Sequence, residues 1–192
     1  MWHILKLNIV ISPEQGFMYA KAPKTAGTSI YRKIMEKHIP DVFLLDNNKK
    51  WIFKNRKQKL YKFTVVRNPW GRLVSNFTYC KKLKYAPIPS TFSDFITFLE
   101  DGNGTTNLKA HCRTIHEYFL FEGEQWVDRI YFFECLVSEW QHIRSKVNNL
   151  PEVLPLSNKS NHANYRQYYT DNDIDRVYVM YKTEIDYLGY SF

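Results

Sequence analysis

Two rhythms of apolar residues run along the chain. Gly16-Phe17-Met18-Tyr19-Ala20 is a short, largely apolar run that predicts a strand, and Ile30, Tyr31, Ile34, Met35 and His38 then recur at helical spacing. Leu60 to Val66 is rich in β-branched and aromatic residues and predicts a buried strand. Leu73, Val74, Phe77 and Cys80 after it mark one face of a helix. Pro87 and Pro89 break the pattern. Thr91, with Asp94 three residues on, opens a helix bearing Phe92, Phe95, Ile96 and Leu99, which Gly102-Asn103-Gly104 closes. His111 to Phe121 carries only a weak helical pattern. Val127 to Phe133 predicts another strand, followed by a helix with Leu136, Val137, Trp140, Ile143 and Val147 on one face. Residues 148–164 form a polar loop containing Pro151 and Pro155. Thr170 and Asp173 cap a last helix with Ile174, Val177, Tyr178, Tyr181 and Leu188, and Gly189 stops it. The run Ile4 to Ile11, interrupted by Lys6 and Asn8, is either an extra strand or an arm.

Alternating strand and helix predicts an α/β fold with a central, mainly parallel sheet flanked by helices. The 192 residues, 44% hydrophobic and 17% aromatic, suffice for one sizeable core, so a single domain over 1–192 is expected. There are no repeats and no low-complexity tract. The balance of 27 basic against 19 acidic residues gives a net charge of +8, which favours an acidic ligand or partner without naming one. A basic run, Lys49, Lys50, Lys54, Arg56, Lys57 and Lys59, reads as a solvated face. Cys80, Cys112 and Cys135 are scattered and odd in number, which argues against a disulfide framework. The N-terminal apolar run is too short for a membrane span or a signal peptide, so cytoplasmic residence is the default expectation. Three tripeptides fit the glycosylation pattern, at Asn76, Asn103 and Asn158, and are discounted for want of a secretion signal.

Two turns carry candidate chemistry. Lys21-Ala22-Pro23-Lys24-Thr25-Ala26-Gly27-Thr28-Ser29 joins the first predicted strand to its helix in a P-loop-like strand–loop–helix unit. Such a turn aims backbone N–H groups and the positive end of a helix dipole at one point, an anion seat to which Lys24 adds a charge and Gly27 close backbone approach. The order is not that of nucleotide hydrolases, whose lysine follows the second glycine of G-x-x-x-x-G-K-[ST]; here Lys24 precedes Gly27. The second turn, Arg67-Asn68-Pro69-Trp70-Gly71, ends a strand, and Ser75 lies eight residues beyond Arg67. A guanidinium fork with a hydroxyl suits a phosphate monoester. Ligands of such sheets sit outside the carboxyl ends of the strands, so the two turns can share one ligand if their strands are neighbours.

Pro23-Lys24-Thr25-Ala26-Gly27-Thr28-Ser29, followed by Val65-Val66-Arg67-Asn68-Pro69-Trp70-Gly71-Arg72-Leu73-Val74-Ser75-Asn76-Phe77, resembles the two nucleotide-binding segments of sulfotransferases. Those enzymes use 3′-phosphoadenosine 5′-phosphosulfate (PAPS). The likeness is to the small-protein and carbohydrate branch, and it includes the tail from Asn158 to Tyr169 and Leu188-Gly189-Tyr190-Ser191-Phe192. It spans residue 16 to the end, a core of 16–192. The resemblance implies that Lys24, Thr25, Ala26, Gly27, Thr28 and Ser29 hold the 5′-phosphosulfate and that Arg67 and Ser75 hold the 3′-phosphate. Lys159 and Ser160, with Arg166 as a further candidate, would close over the nucleotide.

The reaction so implied is in-line transfer of a sulfuryl group to an acceptor hydroxyl, less readily an amine, with carbohydrate as the expected acceptor class. Lys24 is the residue to steady the bridging oxygen, and no metal is required. A hydroxyl acceptor needs a general base. His38 is the only histidine between the two segments, where a C-terminal helix cap is its plainer role. Leu108-Lys109-Ala110-His111-Cys112-Arg113 resembles a family stretch with a histidine near the acceptor cleft, although Thr114-Ile115 stands where the family has Pro-Gln. His111 therefore ranks above His38, with Asp46 and His116 behind them. His111 and His116, five apart, fall on different helix faces and make no zinc pair. Two other readings stand beside the sulfotransferase. One is a nucleotide or nucleoside kinase, which lacks its glycine–lysine motif here. The other is a non-enzymatic module for polyanions or nucleic acid, for which no motif is present.

Overall fold

A computed structural model describes residues 7–36, 43–47, 59–83, 88–154 and 164–192. In chain order the elements are β1 (Leu7–Ser12), β2 (Phe17–Ala20), α1 (Gly27–Glu36), β3 (Phe43–Asn47), β4 (Tyr61–Val66), α2 (Pro69–Leu83), α3 (Phe92–Glu100) and α4 (Thr106–Cys112). β5 (Leu120–Phe121), β6 (Glu124–Gln125), β7 (Arg129–Phe132), α5 (Leu136–Lys146) and α6 (Asp171–Leu188) follow. The class is α/β, as the alternating pattern predicts. Contacts group the chain into two compact units, residues 1–66 with 115–157 and residues 67–114 with 158–192.

The first unit is built on a five-stranded sheet of order β3-β1-β2-β4-β7. β2 pairs in parallel with β4 and β4 with β7, while β1 runs antiparallel to both β2 and β3. The sheet is thus mixed but mostly parallel, and the N-terminal segment is an added strand. It turns into β2 through a bend in which the Gly16 N–H donates to the Pro13 carbonyl at 3.2 Å, with Gly16 at φ +71°, a conformation natural to glycine. Alternation within the strands puts Val10, Phe17, Tyr19, Phe63, Val65 and Tyr131 on one face. Ile30 and Ile34 of α1 and Leu136, Trp140 and Ile143 of α5 pack there. The opposite face, with Ile9, Met18, Ala20, Thr64 and Val66, is buried too, which is why these strands read as unbroken apolar runs. Two expectations shift. The strand expected over Val127 to Phe133 pairs only at Arg129–Phe132, and Val137 is 65% exposed. The buried stripe of α5 runs 136, 140, 143, and Val137 sits about 100° around the helix from it.

The second unit is helical. Trp70, Leu73, Val74 and Phe77 of α2, Phe92, Phe95 and Ile96 of α3, Leu108 of α4, and Val177, Tyr181 and Ile185 of α6 share one core. The caps follow the sequence signals. The Thr91 side chain accepts the Asp94 N–H, Thr170 and Asp173 form a reciprocal capping box, and Gly189 closes α6 at φ +69°. The weak pattern of 111–121 resolves into the end of α4, a 3₁₀ turn at His116–Tyr118 and the two-residue strand β5. Its helix starts earlier than expected, at a cap where Thr105 accepts the Leu108 N–H. His38, Lys159, Ser160 and the basic residues Lys49 to Lys57 lie outside the described residues. Among the described residues, no helix is long and apolar enough to cross a membrane.

Candidate functional site

The first cationic turn begins where β2 ends. The Lys21 N–H still donates to the Asn8 carbonyl at 2.8 Å, extending the ladder by one bond, and Ala22 and Pro23 then leave the sheet. Lys24 and Ala26 both sit at φ +64°, a left-handed conformation that costs residues with a Cβ about 1–2 kcal/mol. Left-handed residues on either side of Thr25 curl the backbone into the concave form in which successive N–H groups converge on an anion. The Thr25 hydroxyl, buried, locks the curl by donating to the Ala22 carbonyl at 3.0 Å. The Ile30 N–H makes the first helical bond, to Ala26 at 3.1 Å, so the amides of Gly27, Thr28 and Ser29 precede the ladder at the positive end of α1.

Gly27 has a specific packing reason. A Cβ there would lie 2.7 Å from Lys21 Cγ and 3.3 Å from both the Ala22 carbonyl oxygen and the Tyr19 hydroxyl, so the loop folds tightly onto itself only around a glycine. Tyr19 is fully buried and stacks on Phe63 at 4.8 Å, and burial pushes its phenol well above the usual range. Burial lowers Lys21 below an ordinary lysine, and its Nζ stands 5.9 Å from the Tyr31 ring. Lys24 and Ala26 are half-buried, Ser29 is buried and Thr28 is exposed.

β2 and β4 are direct parallel neighbours, with Ala20 opposite Thr64, whose hydroxyl donates to the Ala20 carbonyl at 2.8 Å. The carboxyl ends of both strands therefore open on one edge of the sheet. The loop at 21–26 follows one end in the chain, and half-buried Arg67 follows the other.

In the second unit, Asn68 caps α2. Its Oδ1 accepts the Gly71 N–H at 3.2 Å, the Arg72 N–H bonds the Asn68 carbonyl at 2.8 Å, and Pro69 takes the first helical position, where its missing N–H costs nothing. Asn68 Nδ2 also donates to the Ser191 carbonyl at 3.0 Å, and Gly71 packs against Tyr165, whose nearest ring carbon would stand 3.4 Å from a Cβ. Ser75 is buried on α2. His111, on the last turn of α4, helps to line a cavity of about 140 Å³ with Tyr79, Cys80, Ile88, Thr105, Asn107 and Leu108. The His111 and Tyr79 rings are nearly parallel, 6.1 Å apart. His116 lies beyond the end of α4, so the two histidines do not share a helix. Among the described residues no three His, Cys, Asp or Glu side chains gather as a metal site.

A buried polar cluster that carries no local sign in the sequence forms around Arg72, three residues before Ser75. Arg72, only 1% exposed, pairs with Glu184, 0% exposed, and donates to the Arg113 carbonyl at 2.9 Å. Its guanidinium lies 4.8 Å from the Tyr181 ring centre. Burial works against the Arg72 charge, but Glu184 and Tyr181 more than offset it and the net shift is upward. Tyr181 donates to the Cys112 carbonyl, and Asn76 Nδ2 lies 2.6 Å from Cys112 Sγ. Only the partners' positions in the fold could have revealed these contacts, because Arg72 and Glu184 are 112 residues apart.

Comparison with curated proteins found no match, and comparison with solved structures found none either. The pattern that defines the sulfotransferase family, by contrast, runs through the strand–loop–helix unit, the Arg67–Ser75 segment and the tail, matching residues 7–191, and the chain belongs to that family.

Proposed function

We propose that the chain moves a sulfuryl group from PAPS to a hydroxyl of a carbohydrate or other small acceptor. Membership of the sulfotransferase family supports sulfuryl transfer, and the left-handed turn at Lys24 and Ala26, closed around Gly27 at the start of α1, is the observation that carries the donor assignment. That turn fits the 5′-phosphosulfate by its convergent amides, its lysine and its hydroxyls, and the resemblance of the Arg67–Ser75 segment to the family's second nucleotide-binding segment supports assigning Arg67 and Ser75 to the 3′-phosphate. Lys159 and Ser160, outside the described residues, are assigned to closure over the nucleotide.

In the step proposed, the acceptor oxygen bonds to sulfur as the bond from sulfur to the 5′-phosphate oxygen breaks. The acceptor proton passes to a base, and adenosine 3′,5′-bisphosphate departs. Lys24 steadies the charge on the departing oxygen, and His111 is assigned as the base ahead of His38. The carbohydrate class rests on the resemblance of the tail segments to that branch of the family.

Thermal unfolding with adenosine 3′,5′-bisphosphate, with ATP and magnesium, and with heparin tests the reading. Stabilisation by the bisphosphate in the presence of a chelator is expected, about 3 kcal/mol at a hundredfold excess over the dissociation constant. Stabilisation by ATP–magnesium alone would favour a kinase, and by heparin alone a polyanion-binding module.

A further inference from the structure

We propose that the buried Arg72–Glu184 pair is a positioning device: it fixes the rotation of α2 about its axis and thereby sets where the Ser75 hydroxyl stands. The inference rests on the reading in which Ser75 holds the donor's 3′-phosphate. Ser75 follows Arg72 by three residues, less than one turn.

Two successive turns of α2 are fastened by directional bonds. At Arg72 the guanidinium fork reaches Glu184 of α6 and the Arg113 carbonyl that follows α4, and at Asn76 the side-chain amide reaches Cys112. Tyr181, on which the guanidinium lies, is itself tied to the Cys112 carbonyl, and α6 departs from helical geometry at that residue, with φ −119° and ψ 20°. The first turn is held as well, by the Trp70 indole N–H donating to the Ile174 carbonyl at 3.1 Å and by the Tyr169 hydroxyl donating to the Trp70 carbonyl at 3.0 Å.

A fully buried ion pair is a poor way to add stability, because removing two charges from water costs several kcal/mol per ion, and apolar side chains of the same volume often do as well or better. Apolar packing tolerates small rotations, whereas a planar fork with two fixed acceptors does not. A slip of one residue would turn α2 by about 100° and shift it by about 1.5 Å. A phosphate-binding hydroxyl must be held to within about 0.5 Å. The pair therefore contributes orientation where Leu73, Val74 and Phe77 already contribute burial.

The test compares Glu184→Gln, the volume-matched double variant R72M/E184L and Ser75→Ala. Isothermal titration with adenosine 3′,5′-bisphosphate and steady-state transfer kinetics are the readouts. The double variant is expected to fold and melt cooperatively near the wild-type temperature, yet to bind the bisphosphate about ten- to a hundredfold more weakly, with donor KM rising more than kcat falls. Glu184→Gln, which strands a buried cation, is expected to lose both stability and affinity. A double variant that binds with wild-type affinity overturns the inference. So does one that fails to fold, since the pair would then be a stability element. Failure of the underlying reading is separate and visible: Ser75→Ala would bind the bisphosphate as tightly as wild type.

Discussion

Lys24 occupies a left-handed conformation that no lysine adopts without cost, and it does so at the mouth of a helix whose first amides point out of the ladder. Strain of about 1–3 kcal/mol at one residue persists only where the surrounding structure over-determines it. If Lys24 steadies the departing oxygen, Lys24→Ala should lower kcat by about 10²- to 10³-fold while leaving the melting temperature unchanged or raised, and parallel kinetics and thermal unfolding check both halves. Gly27→Ala makes the opposite kind of change. Its new Cβ would meet Lys21 and the Ala22 carbonyl, and overpacking of this sort costs about 1–3 kcal/mol, so both stability and donor affinity should fall. The turn that holds Lys24 and Gly27 was legible in the sequence because a small-residue stretch between an apolar strand and a helical period marks such a turn. Arg72 was not, since it reads there as one more surface cation and only folding brings Glu184 to it. His111 stands between these cases: its position on α4 beside Tyr79 came from the fold, while its assignment as a base is tested by His111→Gln, which should slow transfer at saturating acceptor at least about a hundredfold.

Among the elements, α2 and α6 show how short-range signals fix boundaries. Asn68 at the cap and Pro69 at the first position start α2 directly after Arg67. Asn68→Ala should cost about 1–2 kcal/mol and weaken bisphosphate binding, a pairing of effects that calorimetry and chemical denaturation can separate. At the start of α6, burial works against Asp173, but hydrogen bonds from Ser93 and Thr170 hold its carboxyl below the usual range. Its contribution to stability is present above a pH of about 4 and is lost as acid protonates it. The Thr170–Asp173 cap was readable because its two residues lie three apart, whereas the bond from Ser93 comes from 80 residues away. The start of α4 and the pairing of β1 were not, because a seven-residue helix leaves little period to detect and an apolar run interrupted by Lys6 and Asn8 fits a strand or an arm equally. Val137 failed for a plainer reason: it lies about 100° around α5 from Leu136, on the side away from the stripe that Leu136, Trp140 and Ile143 bury.

For the whole molecule, the α/β class followed from alternation alone, and the mostly parallel sheet with it. The position of β1, antiparallel between β2 and β3, depends on long-range pairing that no local pattern encodes. A global consequence concerns pH. Tyr19 and Tyr181 are buried, and burial raises both phenols above their unfolded value near 10. Below that pH neither form ionises and their contribution is complete. Above it the unfolded chain loses protons that the folded chain keeps, so stability should fall by up to about 1.4 kcal/mol per pH unit for each tyrosine. Urea denaturation between pH 8 and 11 should therefore show a midpoint that is flat at first and then drops.

The proposed function has one nucleotide held at its two charged ends, and isothermal titration of the protein with adenosine 3′,5′-bisphosphate in a chelating buffer, repeated for Lys24→Ala and Arg67→Ala, tests it most directly. The account predicts one metal-independent site per chain, weakened at least about tenfold by either substitution in a protein that stays folded. No binding by the wild type, or equal binding by all three proteins, would contradict it.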